Sequence, residues 1–356
     1  MDAQCDAMSR EAGLAAAHIG IGATALSYAN HAEDAYYYQS FFARSIGFER
    51  TAKLALVIDH ALNNGGAFPS EKTVRDFGHK LDLLLDHVDR IVVERQDPTG
   101  EHRLPNLPVH HAIISVLTGF ASNVTRYYNL DFLTGATRTS EDVVSQWHKQ
   151  VTSLVVAKHY TAKARRRDEN NAAIMDALLS GVTMVRHISE TGEPLRSLED
   201  AALHAAATTA VSPYTRMYVL QIARFLAAAM STLSFAANAQ SDVVIPHLSD
   251  FYRIVNNDDK YFRQRRTTVR GSAERCASDG DCASLECQRA NRAQLAPQTP
   301  KQRAIAAFQT AQLMVVLSLR FSLQGGNIGR WRESRASDGS CSHHHAVTKW
   351  RERPVR

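Results

Sequence analysis

The chain has few of the residues that mark secreted, fibrous or unfolded proteins. Its 356 residues include five cysteines, 18 glycines and ten prolines. Five cysteines cannot build a disulfide framework in a chain of this length, so we expect a reducing, cytoplasmic setting. Glycine and proline are too sparse for a collagen or a low-complexity chain, and 44% hydrophobic residues indicate a globular protein with a sizeable core.

Several motifs of common enzymes are also missing. The chain contains neither the Gly-x-Ser-x-Gly elbow of serine hydrolases nor the Gly-x-x-x-x-Gly-Lys-Ser/Thr loop that holds nucleotide phosphates. The glycines between residues 13 and 22 do not follow a strand pattern, which a dinucleotide-binding turn requires. These absences disfavour classical hydrolases and nucleotide-dependent enzymes, and we expect no cofactor.

The sequence also lacks a convincing membrane segment. The N-terminal residues carry no positive region of the kind that opens a secretory signal. Residues 12–32 are uncharged, but polar side chains and glycines interrupt them, and Phe225–Ser241 is interrupted in the same way. A spanning helix needs about 20 predominantly apolar residues. We therefore expect a protein that does not insert into a membrane.

Strand patterns are nearly absent, whereas apolar residues recur three and four positions apart through most of the chain. Tyr38–Leu62 shows this period and ends in the turn Asn63–Gly66. Ser70 is placed to cap a second helix, whose apolar stripe includes Phe77 and Ile91. The pattern predicts an all-α multi-helix bundle. Further helix starts are predicted at Thr139–Asp142, Ser197–Asp200, Ser212–Pro213 and Thr299–Pro300.

The helical pattern and the composition divide the chain into five segments. Residues 1–135 are predicted to form an acidic helical bundle, and residues 136–270 a second helical layer that ends in a basic cluster. Residues 271–299 read as a polar linker, 300–325 as a terminal helix, and 326–356 as a disordered basic tail.

The positive charge is concentrated at one end of the chain. Formal net charge is −5 over residues 1–150, zero over 151–250 and +10 over 251–356. A basic third of this kind suits a phosphate-bearing partner or an acidic protein. A solvated basic terminus without a dedicated ligand is the alternative.

Potential metal ligands occur in two places, and neither has the spacing of a known site. Cys276, Cys282 and Cys287 are five to six positions apart, whereas structural zinc sites use pairs two to four residues apart. We expect these cysteines to be free thiols, and metal binding by them is the alternative. The segment His79–His87 places histidine and aspartate on one helix face, but the Glu-x-x-His motif of bundle metal sites is missing. No metal ligand is assigned.

Two basic clusters are candidates for contact with nucleic acid. One lies at the expected end of a helix, and the other follows two aromatic residues. Arginine interleaved with aromatic rings suits an unpaired strand, because the cations neutralise phosphates and the rings stack on bases. The alternative is that cations at a helix C-terminus simply complement its dipole. The candidate residues are Arg165, Arg166 and Arg167 in the first cluster, and Tyr261, Phe262, Arg263, Arg265, Arg266 and Arg270 in the second.

One stretch of the chain is similar to a known family. Ser40–Asp59, followed by Phe77–Val88, resembles bacterial HEPN-like helical bundles over about 100 residues. In those bundles a helix with a Glu-Arg or Glu-x-x-Lys-Leu run packs against a helix that opens with Gly-His-x-Leu. The resemblance implies an up-down bundle, and active members of the family are metal-independent ribonucleases of toxin–antitoxin or phage-defence systems that pair as dimers.

The family signature, Arg-x(4–6)-His, fits two pairs in this chain, Arg95/His102 and Arg103/His110. The second pair precedes the predicted third helix, where the family places its site. The resemblance implies that His110 would be the general acid or base for attack by the ribose 2′-hydroxyl and that Arg103 would hold the scissile phosphate. Leu104 stands where the family has a polar residue, and two prolines interrupt the spacer. We therefore favour a bundle that has lost cleavage over an active one.

Two functions from different classes remain. The first is an RNA-associated protein of bacterial defence or toxin–antitoxin type, with or without ribonuclease activity. The second is a non-enzymatic helical scaffold that pairs through its apolar helices and docks an acidic protein on its basic stretch. Both are compatible with a homodimer.

Overall fold

The computed structural model describes residues 3–95, 102–122, 125–135, 141–239 and 244–264. Helices dominate this part of the chain, so the prediction of an all-α multi-helix bundle is confirmed. The predicted linker, terminal helix and tail (271–356) lie outside the described residues.

Eleven α-helices occur within the described residues. In chain order they are α1 (Ala3–Leu26), α2 (Ala35–Asn63), α3 (Glu71–Asp76), α4 (Leu81–Arg95), α5 (Pro108–Ala121), α6 (Tyr128–Leu133), α7 (Val143–Trp147), α8 (Ser153–His159), α9 (Ala162–Leu179), α10 (Leu198–Ala239) and α11 (Asp259–Gln264). A π-helical segment, His148–Thr152, joins α7 to α8, and a 3₁₀ segment, Leu248–Tyr252, precedes α11.

A single small hairpin interrupts the helices of the described chain. Strand β1 (His187–Ile188) pairs antiparallel with β2 (Pro194–Leu195), with His187 opposite Leu195. The turn between them contains Gly192, whose φ of 86° lies in the left-handed region that favours glycine. The sequence pattern did not predict these strands, because two residues are too few to show an alternating period.

One hydrophobic core holds the helices together. Rings of Phe41, Phe120 and Trp147 meet near its centre, with centroid distances of 5.8 Å from Phe41 to Phe120 and 5.1 Å from Phe41 to Trp147. Helix α10 packs against α1, α2, α4 and α5. Buried residues of this core run from Cys5 to Phe262, so both predicted regions, 1–135 and 136–270, contribute to one core.

Helix α10 is also long and apolar enough to cross a membrane, and no other helix of the described chain is. Of the most apolar stretch of 18 residues in this helix, 67% is buried inside the protein. The core helix of a folded bundle can have the same length and apolar composition, so these two properties alone are weak evidence of a membrane span.

Side-chain caps confirm the predicted helix starts at Ser70 and Ser197, and at the predicted capping box Thr139–Asp142 the cap is Asp142 itself. The Ser70 hydroxyl accepts a hydrogen bond from the Thr73 amide at 3.2 Å and caps the N-terminus of α3. Asp142 accepts from two amides at the start of α7, and Ser197 accepts from the Asp200 amide at 2.9 Å before α10.

Other predicted boundaries are wrong. The helix expected from Ser70 onward breaks into α3 and α4 at Gly78, which has a φ of 68°. Ser212–Pro213 does not begin a helix, because α10 runs through it. Proline removes one backbone hydrogen bond there, but burial of the apolar side chains on both sides outweighs that loss.

Helices α1 and α2 approach closely through glycines. A Cβ added at Gly47 would lie 2.7 Å from Ile19 Cγ1 and 3.0 Å from the Ala15 carbonyl oxygen. At Gly22 an added Cβ would lie 2.6 Å from Arg44 Cγ. The Arg44 side chain is fully buried at this interface, donates to the Ser40 hydroxyl and lies 5.5 Å from the Trp147 ring. Burial lowers the pKa of Arg44 to about 9.

We expect Gly47→Ala to separate α1 from α2 and to lower the free energy of unfolding by about 1–3 kcal/mol. Gly119→Ala is the matched control, because that position is also helical but has no atom within 4 Å of an added Cβ. The control should gain stability, by about 0.5–1 kcal/mol, since alanine favours a helix over glycine. Urea unfolding of the three proteins measures both effects, and an equal response of the two variants would contradict the close packing.

Candidate functional site

His110 lies in the first turn of helix α5 and is almost fully buried, with 2% of its surface exposed. The Leu107 amide donates to its Nδ1 at 3.2 Å, so its Nε2 carries the proton and donates to Gln221 Oε1 at 2.7 Å. The Gln221 amide nitrogen in turn donates to Asp259 Oδ2 at 2.9 Å. Burial is the largest cause that lowers the pKa of His110. In this arrangement both ring nitrogens have partners within the protein.

Arg103, the other half of the predicted catalytic pair, binds a different partner. Its Nε donates to Asp89 Oδ1 at 2.9 Å and its Nη2 to Asp89 Oδ2 at 2.6 Å. Asp89 also accepts from the Leu104 amide at 2.8 Å. Burial raises the pKa of Asp89, but these hydrogen bonds outweigh it and the pKa is lowered overall. The described structure contains no hydrogen bond between Arg103 and His110.

In the alternative pair, Arg95 and His102, the arginine binds groups on α2. Arg95 Nε donates to Asp59 Oδ1 at 2.6 Å and its Nη2 to Asn63 Oδ1 at 2.8 Å, which ties the end of α4 to α2. The other predicted metal candidate, His79, contacts Glu49 at 2.9 Å through its Nδ1.

The first basic cluster lies at the beginning of a helix, not at the end. Helix α8 ends at His159, and the Thr161 hydroxyl then caps α9 by accepting from the Ala164 amide at 3.2 Å. Arg165, Arg166 and Arg167 are exposed in the first two turns of α9. The predicted placement is therefore wrong, and so is the alternative that helix dipole explains these charges. Cations near a helix N-terminus face the positive end of the dipole.

An arginine of the second basic cluster packs on a tyrosine of α10, next to a histidine from the end of α8. The Arg263 guanidinium carbon lies 5.6 Å from the centroid of the Tyr214 ring, and the His159 ring stacks on Tyr214 at 3.9 Å with a 13° angle. Beside them, Arg165 lies 5.5 Å from the Tyr160 ring. We call these residues, with the exposed Lys158, the arginine–tyrosine surface: Lys158, His159, Tyr160, Arg165, Tyr214 and Arg263.

A buried arginine fixes Arg263 at this surface. Arg216 is 3% exposed, and its Nε donates to the Phe262 carbonyl at 2.9 Å while its Nη2 donates to the Arg263 carbonyl at 3.0 Å. Its Nη1 also reaches the Ser27 hydroxyl at 2.7 Å. These bonds provide hydrogen-bond partners for two carbonyls in the last turn of α11. They also hold the C-terminal end of α11 against α10 and against Ser27, which follows α1.

The charge of the surface comes from its lysine and arginines. Burial lowers the pKa of His159 first, and the positive charges of Lys158 and Arg263 lower it further. His159 is therefore neutral at pH 7. Burial also raises the pKa of Tyr160, whose hydroxyl donates to Asp168 at 3.1 Å. The surface combines cations with partly exposed neutral rings.

The remaining predicted contact residues do not all join this surface. Phe262 is 1% exposed and packs in the core near Arg224, so its ring is not available to a ligand. Tyr261 is half-buried beside it. Arg167 pairs with Asp168 at 2.8 Å. Arg265, Arg266, Arg270 and the cysteines Cys276, Cys282 and Cys287 lie outside the described residues.

A second cluster, which the sequence pattern did not predict, surrounds a buried carboxylate. Glu190 lies in the β1–β2 turn, accepts from the Tyr37 hydroxyl at 3.1 Å and pairs with His204 of α10. The ring of His31 lies 5.3 Å from that of His204. The sequence signal near Glu190 is the dipeptide Thr191–Gly192, which favours a turn. No pattern in the sequence predicts that His31, Glu190 and His204 lie close together. We call these three residues the histidine–glutamate cluster.

The carboxylate of this cluster is ionised at neutral pH. Burial raises the pKa of Glu190, but the hydrogen bond and charge of His204, with a contribution from His148, outweigh burial and bring the pKa to about 2. The pKa of His31 is lowered, mainly by burial. A charged oxygen ligand thus lies beside a neutral imidazole.

Comparison with known proteins adds no relative: no family model, no curated protein and no solved structure matches this chain.

We expect His110→Asn to flatten the pH dependence of stability. Asparagine can still accept from the Leu107 amide but does not titrate. Because the folded state lowers the pKa of His110, the unfolded state binds more protons below the ordinary pKa of about 6.5, and the wild type loses stability there.

Urea unfolding between about pH 7.5 and pH 5 measures this effect. The free energy of unfolding should fall more steeply with acidification in the wild type than in the variant. Parallel curves for the two proteins would show that His110 does not titrate as the buried neutral cap described above.

Proposed function

We propose that the protein binds single-stranded RNA on the arginine–tyrosine surface. The observation that carries this proposal is the packing of Arg263 and His159 against the ring of Tyr214, with Arg165 over Tyr160 beside them. Cations next to aromatic rings are the chemistry that proteins use to bind unpaired strands. The HEPN-like resemblance favours RNA over DNA and stays a prediction, as does a role in bacterial defence.

The charges on this surface have few partners within the protein. Lys158, Arg165 and Arg263 are exposed. Each packs its charged group over a tyrosine ring, that of Tyr218, Tyr160 and Tyr214 respectively. The cluster at the start of α9 is opposed by the helix dipole, and a bound phosphate would offset that cost. The charges would neutralise phosphates, while the half-buried rings of Tyr160 and Tyr214 offer stacking area.

The sequence after Arg263 extends the same chemistry. Arg265, Arg266 and Arg270 follow within seven residues, and residues 251–356 carry a net charge of +10. A basic segment that continues from a stacking surface suits a strand longer than a few nucleotides. We therefore expect affinity to fall steeply with salt concentration, because cations released from the phosphates drive binding.

We expect Arg263→Gln and Tyr214→Leu to weaken binding for different reasons. Removing one phosphate contact should reduce the magnitude of the slope of log K against log salt by about 0.7. Removing one stacking ring should weaken binding by about 5- to 150-fold and leave the slope unchanged. The measurement is fluorescence anisotropy of the full chain with a labelled unstructured RNA, from 50 mM salt upward.

The matched control is Arg10→Gln, which removes one charge from an arginine that is 83% exposed on α1. It should leave both affinity and slope unchanged. Thermal melting checks that Tyr214→Leu is folded. Failure of the wild type to bind RNA at 50 mM salt, or an equal effect of Arg263→Gln and Arg10→Gln, would refute this function.

We further propose that binding occurs without cleavage at Arg103 and His110. Both nitrogens of His110 have protein partners, and Arg103 binds Asp89 through two hydrogen bonds. A general acid or base needs a free nitrogen within reach of the reacting hydroxyl. A 5′-labelled RNA incubated with the protein in EDTA should remain intact. Cleavage that disappears in His110→Ala would contradict the proposal and establish the family's site.

The scaffold function is the second candidate, and exposed apolar side chains favour it. Phe132 and Leu133 of α6 are 76% and 79% exposed, and Leu178 of α9 is 74% exposed. Large apolar residues left in water are typical of surfaces that contact another protein. This function would stand alone if the RNA experiment gave no binding at low salt.

A further inference from the structure

Three side chains from distant parts of the sequence converge at the histidine–glutamate cluster. His31 follows α1, Glu190 lies in the hairpin turn, and His204 lies in the second turn of α10. One ligand atom from each, an imidazole nitrogen or a carboxylate oxygen, lies within 4.8 Å of the other two. No other group of three or more potential ligands within the described residues is this close.

Two imidazole nitrogens at this place are buried and have no hydrogen-bond partner. They are Nδ1 of His31 and Nδ1 of His148, which belongs to the π-helical segment. Unsatisfied polar atoms are costly inside a protein and call for a bound water or ion. The His148 ring stacks on His204 at 5.3 Å, so its orphaned nitrogen belongs to the edge of the same cluster.

The carboxylate is held in place by groups that surround it. The hydroxyl of Tyr37, a residue that is 3% exposed, donates to Glu190 Oε1 at 3.1 Å. The Ser189 amide donates to the Glu193 carbonyl at 2.8 Å and closes the turn that carries Glu190. Hydrogen bonds of this kind orient ligands at metal centres.

We propose that His31, Glu190 and His204 bind a divalent transition-metal ion such as Zn²⁺. Two imidazoles and one carboxylate are a donor set that zinc uses at sites with an open coordination position. Ligand atoms around tetrahedral zinc lie about 3.3 Å apart, so the widest pair here would close by about 1.5 Å on binding. No motif in the sequence marks these three residues as metal ligands.

A simple ion pair between His204 and Glu190 does not account for the whole arrangement. The pair needs neither His31 nor His148, whose buried nitrogens it leaves unsatisfied. The His187 ring also lies 5.5 Å from His31, so four imidazoles form a chain of ring contacts that includes His204, the partner of Glu190. One bound cation would use the charge of Glu190 and the free lone pair of His31 together.

Solvent reaches the cluster through an open cavity of about 650 Å³. His31 and Glu190 are part of its wall, and Lys149 and Arg186 line it as well. A metal ion at this site would therefore be exchangeable with the solution. The wall also carries Asp34, Glu141 and Asp142, so its carboxylates outnumber its two cations and favour a positively charged occupant.

The experiment uses the full chain stripped of metal by a chelator. Co²⁺ is titrated while its visible absorption is recorded, because four-coordinate Co²⁺ absorbs strongly, and Zn²⁺ is then added as competitor. We expect one equivalent of Co²⁺ that Zn²⁺ displaces, and at least 10-fold weaker binding in His31→Gln and in His204→Gln. His79→Gln, which removes a histidine from the exposed contact with Glu49, should bind as the wild type does.

His31→Gln is the decisive variant, because its Nδ1 has no partner and its loss should leave the fold intact, as circular dichroism can check. Unchanged metal affinity in this variant, or no binding by the wild type at 100 μM Co²⁺, would overturn the proposal. All proteins are also prepared with Cys276, Cys282 and Cys287 changed to serine. Retention of the site in that background supports the assignment, whereas its loss there, with thiolate charge-transfer bands in the parent, would assign the metal to the cysteines.

Discussion

Polar side chains that are buried or half-buried along helix α10 bond to groups on other elements, and these bonds position much of the structure around the helix. His204 pairs with Glu190 of the hairpin, Arg216 binds the carbonyls at the end of α11, and Gln221 bonds to His110 at the start of α5. Leaving such a group unsatisfied in the core would cost about 1–3 kcal/mol. The loops are therefore docked on α10 by specific bonds as well as by hydrophobic contact.

The two candidate sites are both consequences of that helix. The histidine–glutamate cluster forms where His204 meets the hairpin, and the arginine–tyrosine surface forms where Arg216 fixes Arg263 beside Tyr214. Their chemistry differs because their exposure differs. The carboxylate of Glu190 is buried among imidazoles, which favours a small cation, whereas the guanidinium of Arg263 is in solvent, where it is accessible to a phosphate.

Local sequence signals predicted those helix ends that depend on local bonds. Ser70 and Ser197 cap helices as expected, since an N-cap needs only a side-chain oxygen and an amide two or three residues away. The signals failed where packing competes with local preference. Pro213 lies inside α10, and the chain breaks at Thr161 although the residues around it are compatible with a continuous helix.

Composition and local pattern were enough to predict a helical bundle whose positive charge is concentrated toward the C-terminus, because apolar period and charge are properties of neighbouring residues. Which distant residues meet depends on how the helices pack. The tertiary structure gave His110 and Arg103 separate partners, placed Arg165 over Tyr160 and Arg263 over Tyr214, and brought His31, Glu190 and His204 within 4.8 Å. Contacts across more than 150 residues depend on how helices pack and which buried groups need partners, and neither leaves a periodic trace in the sequence.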